Sequence, residues 1–290
     1  MTKKFIRCGI PVFLACLFTA CAARPPKTIR LSAEINEASG LSIREGKFTW
    51  HNDSGDGPFL YTTDGTGTII SRDTLAARAA DYEDMTRDPA GRFYVGDFGN
   101  NRGLNRRQTI YRYDPMTGVT DSIVYTYPGQ RGEGRDRPGN FDCEAMVYLD
   151  GHLHLFTKDQ VFGRGNFYAY HYRLPAHPGT YEAALVDSLY LPRRVITAAA
   201  VDSVRKQLVF TAYNFNYLIG KLPTGAASLI TISDYPEDRF FRGKVRRRNL
   251  SWAWPTQFEA VDFYDGKWLY VASEATRLRK YAVAKRKRRR

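Results

Sequence analysis

Glu37-Ala38-Ser39-Gly40-Leu41-Ser42-Ile43-Arg44, a turn at Glu45-Gly46, and Lys47-Phe48-Thr49-Trp50-His51-Asn52-Asp53 decide the fold of this chain. Leu41 and Ile43 alternate with polar neighbours, Gly46 turns the backbone, Phe48 and Trp50 alternate again, and His51-Asn52-Asp53-Ser54-Gly55 ends the run. That is the pattern of a β-hairpin. The phrase returns with the heads Tyr82-Glu83-Asp84-Met85, Cys143-Glu144-Ala145-Met146, Ile196-Thr197-Ala198-Ala199 and Phe258-Glu259-Ala260-Val261. Glu stands at the head of four of the five copies, and the fourth carries Thr197 instead. β-type copies spaced by roughly 40 to 60 residues are the signature of a β-propeller, each copy being one blade.

Working outward, residues 59–63 and 68–72 flank the turn Asp64-Gly65 and bring the first unit to four antiparallel strands. The all-β reading is therefore a ring of four-stranded blades, five by direct count. Residues 226–256 hold two candidate strands, 228–233 and 244–251, which leaves room for a sixth blade. The fifth copy is one strand short. Residues 28–35 alternate Ile29, Leu31 and Ala33 with polar residues and are expected to pair with the last blade, closing the ring and removing its open edges.

The domain is expected to span residues 28–284. Residues 1–20 read as an export signal: Lys3, Lys4 and Arg7 precede an apolar run too short for the roughly 20-residue helix that spans a bilayer. Thr19-Ala20-Cys21 closes the run in the manner of a lipoprotein lipobox, which makes Cys21 the lipidation site and residues 21–27, with Pro25-Pro26, a tether. The expected location is the bacterial cell envelope, anchored by lipid in a membrane and facing the periplasm or the surface, as a monomer. Of the four cysteines, only Cys143 remains in the folded part, so no disulfide is available and a buried structural thiol is expected.

The net charge of +13 over 290 residues is concentrated at the ends. The signal and the run Lys285-Arg286-Lys287-Arg288-Arg289-Arg290 hold most of it, and +4 remains for the body. Residues 285–290 are read as a solvated basic tail, with contact to anionic lipid as the functional alternative. A mildly basic exported domain is a poor candidate for nucleic acid. No Ser-His-Asp arrangement or Gly-rich phosphate loop is present, and His51 has no second His at a zinc-ligand spacing.

Equivalent positions of different blades converge on the channel mouth, so Glu37, Glu83, Glu144 and Glu259 are expected to form a ring. About one hairpin later in each copy come Asn52-Asp53, Asp97 with Asn100-Asn101, Thr157-Lys158, Tyr213-Asn214 and Ser273-Glu274. The expected ligand-binding set is Glu37, Asn52, Asp53, Glu83, Asp97, Asn101, Glu144, Lys158, Glu259 and Glu274. Clustered carboxylates raise one another's pKa unless a cation joins them, and hard oxygen ligands favour Ca²⁺. Glu37, Glu83, Asp97 and Glu144 are the metal candidates. Glu83, Glu144 and Glu259 are the catalytic candidates if two carboxylates act on a phosphate ester or glycan. The alternative is structural, with the Glu ring accepting backbone N–H groups of neighbouring blades. Trp252 and Trp254, around Pro255, are either a stacking platform for a sugar or buried packing.

Ala38-Ser39-Gly40-Leu41, His51-Asn52-Asp53-Ser54-Gly55, Asp81-Tyr82-Glu83-Asp84, Gly96-Asp97-Phe98-Gly99-Asn100-Asn101, Glu144-Ala145 and Thr157-Lys158 together resemble a group of exported bacterial β-propeller lipoproteins of NHL-like, SdiA-regulated-like and phytase-like type. The resemblance covers nearly the whole chain after the signal. It implies the propeller fold and, from some members, Ca²⁺ bound in acidic clusters. Tyr82 stands where the group commonly has Trp, and Thr197 where it has Glu, so the acidic ring is incomplete and phytase chemistry does not transfer directly.

Overall fold

A computed structural model describes residues 25–101, 103–130, 141–158, 167–214, 226–251, 257–277 and 279–289. The signal, Cys21, Trp252 and Trp254 lie outside the described residues. Strand β1 (Thr28–Arg30) opens the chain and belongs to the last blade. Blade one is β2 (Ala38–Arg44), β3 (Lys47–Asn52), β4 (Phe59–Thr63) and β5 (Ile69–Thr74). Blade two is β6 (Tyr82–Arg87), β7 (Phe93–Asp97), β8 (Gln108–Asp114) and β9 (Val119–Thr126). Blade three is β10 (Cys143–Leu149), β11 (His152–Thr157) and β12 (Tyr168–Pro175), then, after β13 (Gly179–Glu182), the outer β14 (Ala184–Tyr190). Blade four is β15 (Arg194–Asp202), β16 (Gln207–Asn214), β17 (Ala227–Ser233) and β18 (Lys244–Asn249). Blade five is β19 (Phe258–Phe263), β20 (Trp268–Ser273), β21 (Val283–Arg288) and β1.

The ring has five blades, because both candidate strands between 226 and 256 are consumed by blade four as β17 and β18. Closure follows the expected route, but over Thr28–Arg30 rather than the whole of 28–35: Thr28, Ile29 and Arg30 pair with Lys285, Ala284 and Val283, and the chain turns at 33–34, where Ala33 is exposed. One expectation is corrected here. Residues 285–288 are not a tail but the body of β21, which pairs with β20 on one side and β1 on the other. Its basic side chains sit on a regular strand, and Arg289 is tucked against Asp202 at 2.8 Å with a side chain only 6% exposed. Backbone pairing sets the fate of such a run, and the half-buried Lys285, Arg286 and Lys287 can lay their aliphatic stems along the sheet while their charges reach water. A second feature was not anticipated: β13 leaves blade three and adds in parallel to β9, making blade two five-stranded.

Five apolar clusters fill the five blade interfaces. Between blades five and one, Phe48, Trp50 and Tyr270 pack with Ile29 and Leu41, and the edge of Phe48 meets Tyr270 at 4.9 Å between ring centroids. Near the axis the wedge narrows, and the inner strands carry small residues there, such as Ala198-Ala199-Ala200, Ala145 and Ala260. At Asp150-Gly151, φ is +45° and +79°, the pair of left-handed residues that a type I′ hairpin turn demands.

Two aspartates stitch the inner strands together. Asp84 Oδ2 accepts from the N–H groups of Met146 (2.8 Å) and Ala199 (3.1 Å), and its Oδ1 from Met85 (2.8 Å), joining blades two, three and four. Asp262 accepts from Ile43 (2.6 Å) and Phe263 (2.7 Å), joining blades five and one. The structural role foreseen for the Glu ring is therefore filled by these residues. Burial pushes both carboxyl groups above their ordinary range, while the N–H donors hold them down.

Candidate acidic mouth of the channel

Every inner strand carries an irregularity at the same end. The register breaks between Ala38 and Gly40, Tyr82 and Met85, Cys143 and Ala145, Ile196 and Ala198, and Phe258 and Ala260. A bulge re-aims the residue it contains. The re-aimed residues are Ser39, Glu83 with Asp84, Glu144, Thr197 and Glu259. The structural register thus puts Ser39, not Glu37, in line with the three glutamates.

Where a blade offers a hydroxyl at this place, that hydroxyl binds the next blade. Ser39 Oγ donates to the carbonyl of Glu83 at 2.5 Å, and Thr197 Oγ1 to that of Phe258 at 2.6 Å. The three glutamates are released from that duty. Glu37 lies two residues before Ser39, and the residues at the same offset in blades two and three are Asp81 and Asp142. Sequence reading missed both. The available signal was acid-x-Glu, seen in Asp81-Tyr82-Glu83 and Asp142-Cys143-Glu144.

One hairpin later the chain returns to this mouth. The partners of the residues before the bulges are Asn52, Asp97, Thr157, Ala212 and Ser273, and the residues that follow them are Asp53, Phe98, Lys158, Tyr213 and Glu274. Asn52 and Asp97 serve the backbone. Asn52 accepts from the Glu37 N–H and donates to the Glu34 carbonyl and to Asp56, whereas Asp97 Oδ1 accepts from Ala80 (3.2 Å) and Asp81 (2.8 Å). Asn100 is also structural, bonded to Asp142, Asn105 and Phe141, and Asn101 is exposed on the same loop.

Among the described residues the mouth gathers the carboxyl groups of Glu37, Asp53, Asp81, Glu83, Asp142, Glu144, Glu259 and Glu274 around one ammonium, Lys158. Lys158 forms a buried ion pair with Glu144. Burial opposes its charge, but Glu144, Tyr213, Asp142 and Glu83 prevail and keep it protonated. It neutralises one acid and leaves an excess. Burial, then the charges of Glu259, Asp81 and Glu37, push Asp53 up to about 7. Burial and Glu259, with which it shares a hydrogen bond, push Glu274 up to about 10. Burial and the charge of Glu144 drive Glu83 well above the ordinary carboxylate range.

Three of these groups meet closely. One carboxylate oxygen each from Asp53, Asp81 and Glu83 lies within 4.8 Å of the others. Two unit charges at that distance repel by roughly 3.5 kcal/mol at an effective dielectric of about 20. Three such pairs approach the whole stability of a domain, about 5 to 15 kcal/mol, so protons or a cation must share the cluster. Two oxygens that bind one Ca²⁺ at about 2.4 Å stand at most about 4.8 Å apart, and each pair of these three oxygens meets that limit. Asp53 Oδ1, and Asp142 Oδ2 on a residue only 8% exposed, have no hydrogen-bond partner despite burial. Gly99 makes room for the cluster, since a Cβ there would stand 2.3 Å from Asp81 Oδ2 and 2.4 Å from Glu83 Oε1.

The opposite end of the axis differs in character. It opens into a cavity of about 380 Å³ lined by Arg44, Arg87, Asp88, Tyr148 and Asp150 among others.

No family model matches the chain, and no curated protein matches it. Among solved structures, α-L-arabinanase of Penicillium chrysogenum complexed with arabinobiose aligns over 91% of this chain and 98% of its own, at 11% identity and a TM-score of 0.51. Virginiamycin B lyase of Staphylococcus aureus aligns over 89% and 97%, at 11% identity and a TM-score of 0.46. The Dos1 propeller aligns over 81% of this chain and only 52% of its own, at 10% identity and a TM-score of 0.42. These neighbours are β-propeller proteins, and at such identities the likeness is one of fold.

Proposed function

We propose that the chain is an exported, lipid-anchored propeller of the NHL-like and phytase-like type that binds a polar ligand at its acidic mouth through a divalent cation. Asp53, Asp81 and Glu83 would hold the cation, with Asp142 beside them. The observation that carries this reading is the convergence of those three oxygens in a cluster whose acids outnumber its only ammonium, Lys158, among the described residues. Ca²⁺ is the preferred ion because all the donors are carboxylates. Its role would be to neutralise the cluster and leave coordination positions for an oxygen-rich ligand.

The test is thermal. At saturating Ca²⁺, a ligand present at about 100 times its Kd adds about 2.7 kcal/mol to stability, or roughly 5 °C for a domain of this size. Ca²⁺ should raise the Tm by that order at pH 7.5, EGTA should reverse the gain, and Asp81→Asn with Glu83→Gln should abolish it. An unchanged Tm in the parent protein would remove the cation from the reading.

A hydrolase of phosphate esters or glycans is the second reading, favoured by one observation. Burial, then the charge of Glu259 and the hydrogen bond shared with it, keep the Glu274 carboxyl group protonated near neutrality, as a general acid requires. Turnover on a phosphate-ester and glycan panel that disappears in Glu259→Gln would support it, and no turnover in the parent protein would end it.

A further inference from the structure

Blades four and five present a second charged surface, of opposite sign to the mouth. The outer strand β18 reads Lys244-Val245-Arg246-Arg247-Arg248-Asn249 and is exposed along most of its length. β21 lies across the blade interface from it, and Arg248 Nη1 donates to the Arg288 carbonyl at 2.9 Å. Between the strands is a cleft of about 410 Å³ with Val209, Leu229 and Leu269 in its lining and Arg246, Arg247 and Arg289 around it. Like charges crowd here. Burial, then Lys285, Arg248 and Lys27, depress the Lys287 pKa, and Arg247 acts the same way on Arg194.

Some basic groups of this region are neutralised within the protein, as Lys244 is by Asp234 and Arg289 by Asp202. Among the described residues no carboxylate pairs with Arg246, Arg247, Lys285 or Lys287. On the other face of blade five, Trp268 carries the Lys267 ammonium (5.5 Å) and the Arg286 guanidinium (4.4 Å) over its ring, an aromatic group against cations of the kind that suits a headgroup layer. The chain also enters the ring beside this face. Arg286 binds the Pro25 carbonyl, Tyr270 OH donates to that of Pro26 at 2.7 Å, and Lys27 stands by Lys287.

We propose that this face docks on an anionic lipid surface, with Arg246, Arg247, Lys285 and Lys287 meeting the headgroup phosphates. Charge complementarity carries the inference, and the point of chain entry gives it direction. Three residues separate Cys21 from Pro25, four steps along the chain and a reach of at most about 14 Å when extended. A lipid on Cys21 would therefore hold this face against the bilayer and turn other surfaces away. Only that orientation rests on the anchor proposed above; the charge match stands without it.

The anchor is excluded by using residues 22–290, which retain every strand of the closed ring. Cosedimentation is measured with vesicles of phosphatidylcholine alone and with about one quarter phosphatidylglycerol. Binding to the anionic vesicles only, lost between about 50 and 300 mM NaCl, is expected. The quadruple variant Arg246→Gln, Arg247→Gln, Lys285→Gln, Lys287→Gln should bind about tenfold more weakly or worse. Lys47→Gln, Arg78→Gln, Arg193→Gln, Lys206→Gln removes as much charge from exposed positions elsewhere and should bind like the parent. Equal losses in both variants, equal binding to both vesicles, or binding to soluble polyanions without binding to lipid would each overturn the proposal. The salt dependence of the parent protein decides the matter if a variant fails to fold. Failure of these vesicle tests leaves the acidic mouth untouched, because Ca²⁺ binding is read separately by the Tm.

Discussion

At the scale of single residues, neighbours in sequence have opposite tasks. Glu83 looks into the mouth, and Asp84 turns into the wall and takes three N–H donors from three blades. Asp84→Ala would strand those donors where no water reaches, at about 1 to 3 kcal/mol each. The expected loss is about 3 kcal/mol or more, roughly 5 °C or more in Tm, measured by calorimetry. Asp53 gives the contrary case. Its folded pKa, about 7, lies above its ordinary value of 3.8. Between these limits the folded state binds more protons than the unfolded state, so its contribution to stability falls as pH rises from about 4 to 7 and stays low beyond. Without Ca²⁺, Asp53→Asn should therefore melt a few degrees above the parent at pH 8, with the difference vanishing near pH 4. The same substitution should remove the gain from added Ca²⁺. A parent protein whose EGTA-treated Tm does not fall between pH 5 and 8 would contradict this account.

At the scale of elements, strand β1 is three residues long yet closes the ring, and Ile29, Leu31 and Ile35 are all nearly fully buried around it. Deleting residues 25–31 should expose the edge of β21 and lower solubility, with association seen by light scattering. The closing strand was legible because Ile29 and Leu31 alternate with polar residues and the last copy is one strand short, although Ala33, read into the same alternation, lies exposed in a turn. The glutamates at the heads of blades two, three and five were legible for the same reason of repetition. What the pattern hid was register. A bulge adds a residue without changing composition, so Glu37 looked like the counterpart of Glu83 when Ser39 holds that place. Asp84 and Asp262 were hidden because their partners are backbone groups of other blades, which leave no trace in residue type. The basic run of β21 was hidden because the alternating apolar signal of a strand is absent from it.

At the scale of the whole molecule, the two proposed sites lie in regions of opposite charge: the cation and its ligand would occupy the acidic mouth, and a lipid surface would meet the basic flank. If Cys21 carries the anchor, Cys21→Ala should move the protein from the membrane fraction to the soluble one at moderate salt, and unchanged fractionation would count against the lipid. The pairing of β1 with β21 has another consequence, for the order in which the molecule is made. Ile29 is among the first residues of the domain to be synthesised, and its partner Ala284 is among the last. At about 5 to 20 residues per second, the first strand waits roughly 15 to 50 seconds for the edge it must join. Four blades can form before that edge exists, but the ring stays open until Ala284 is available, so the final shape of the domain is withheld until its last blade is present.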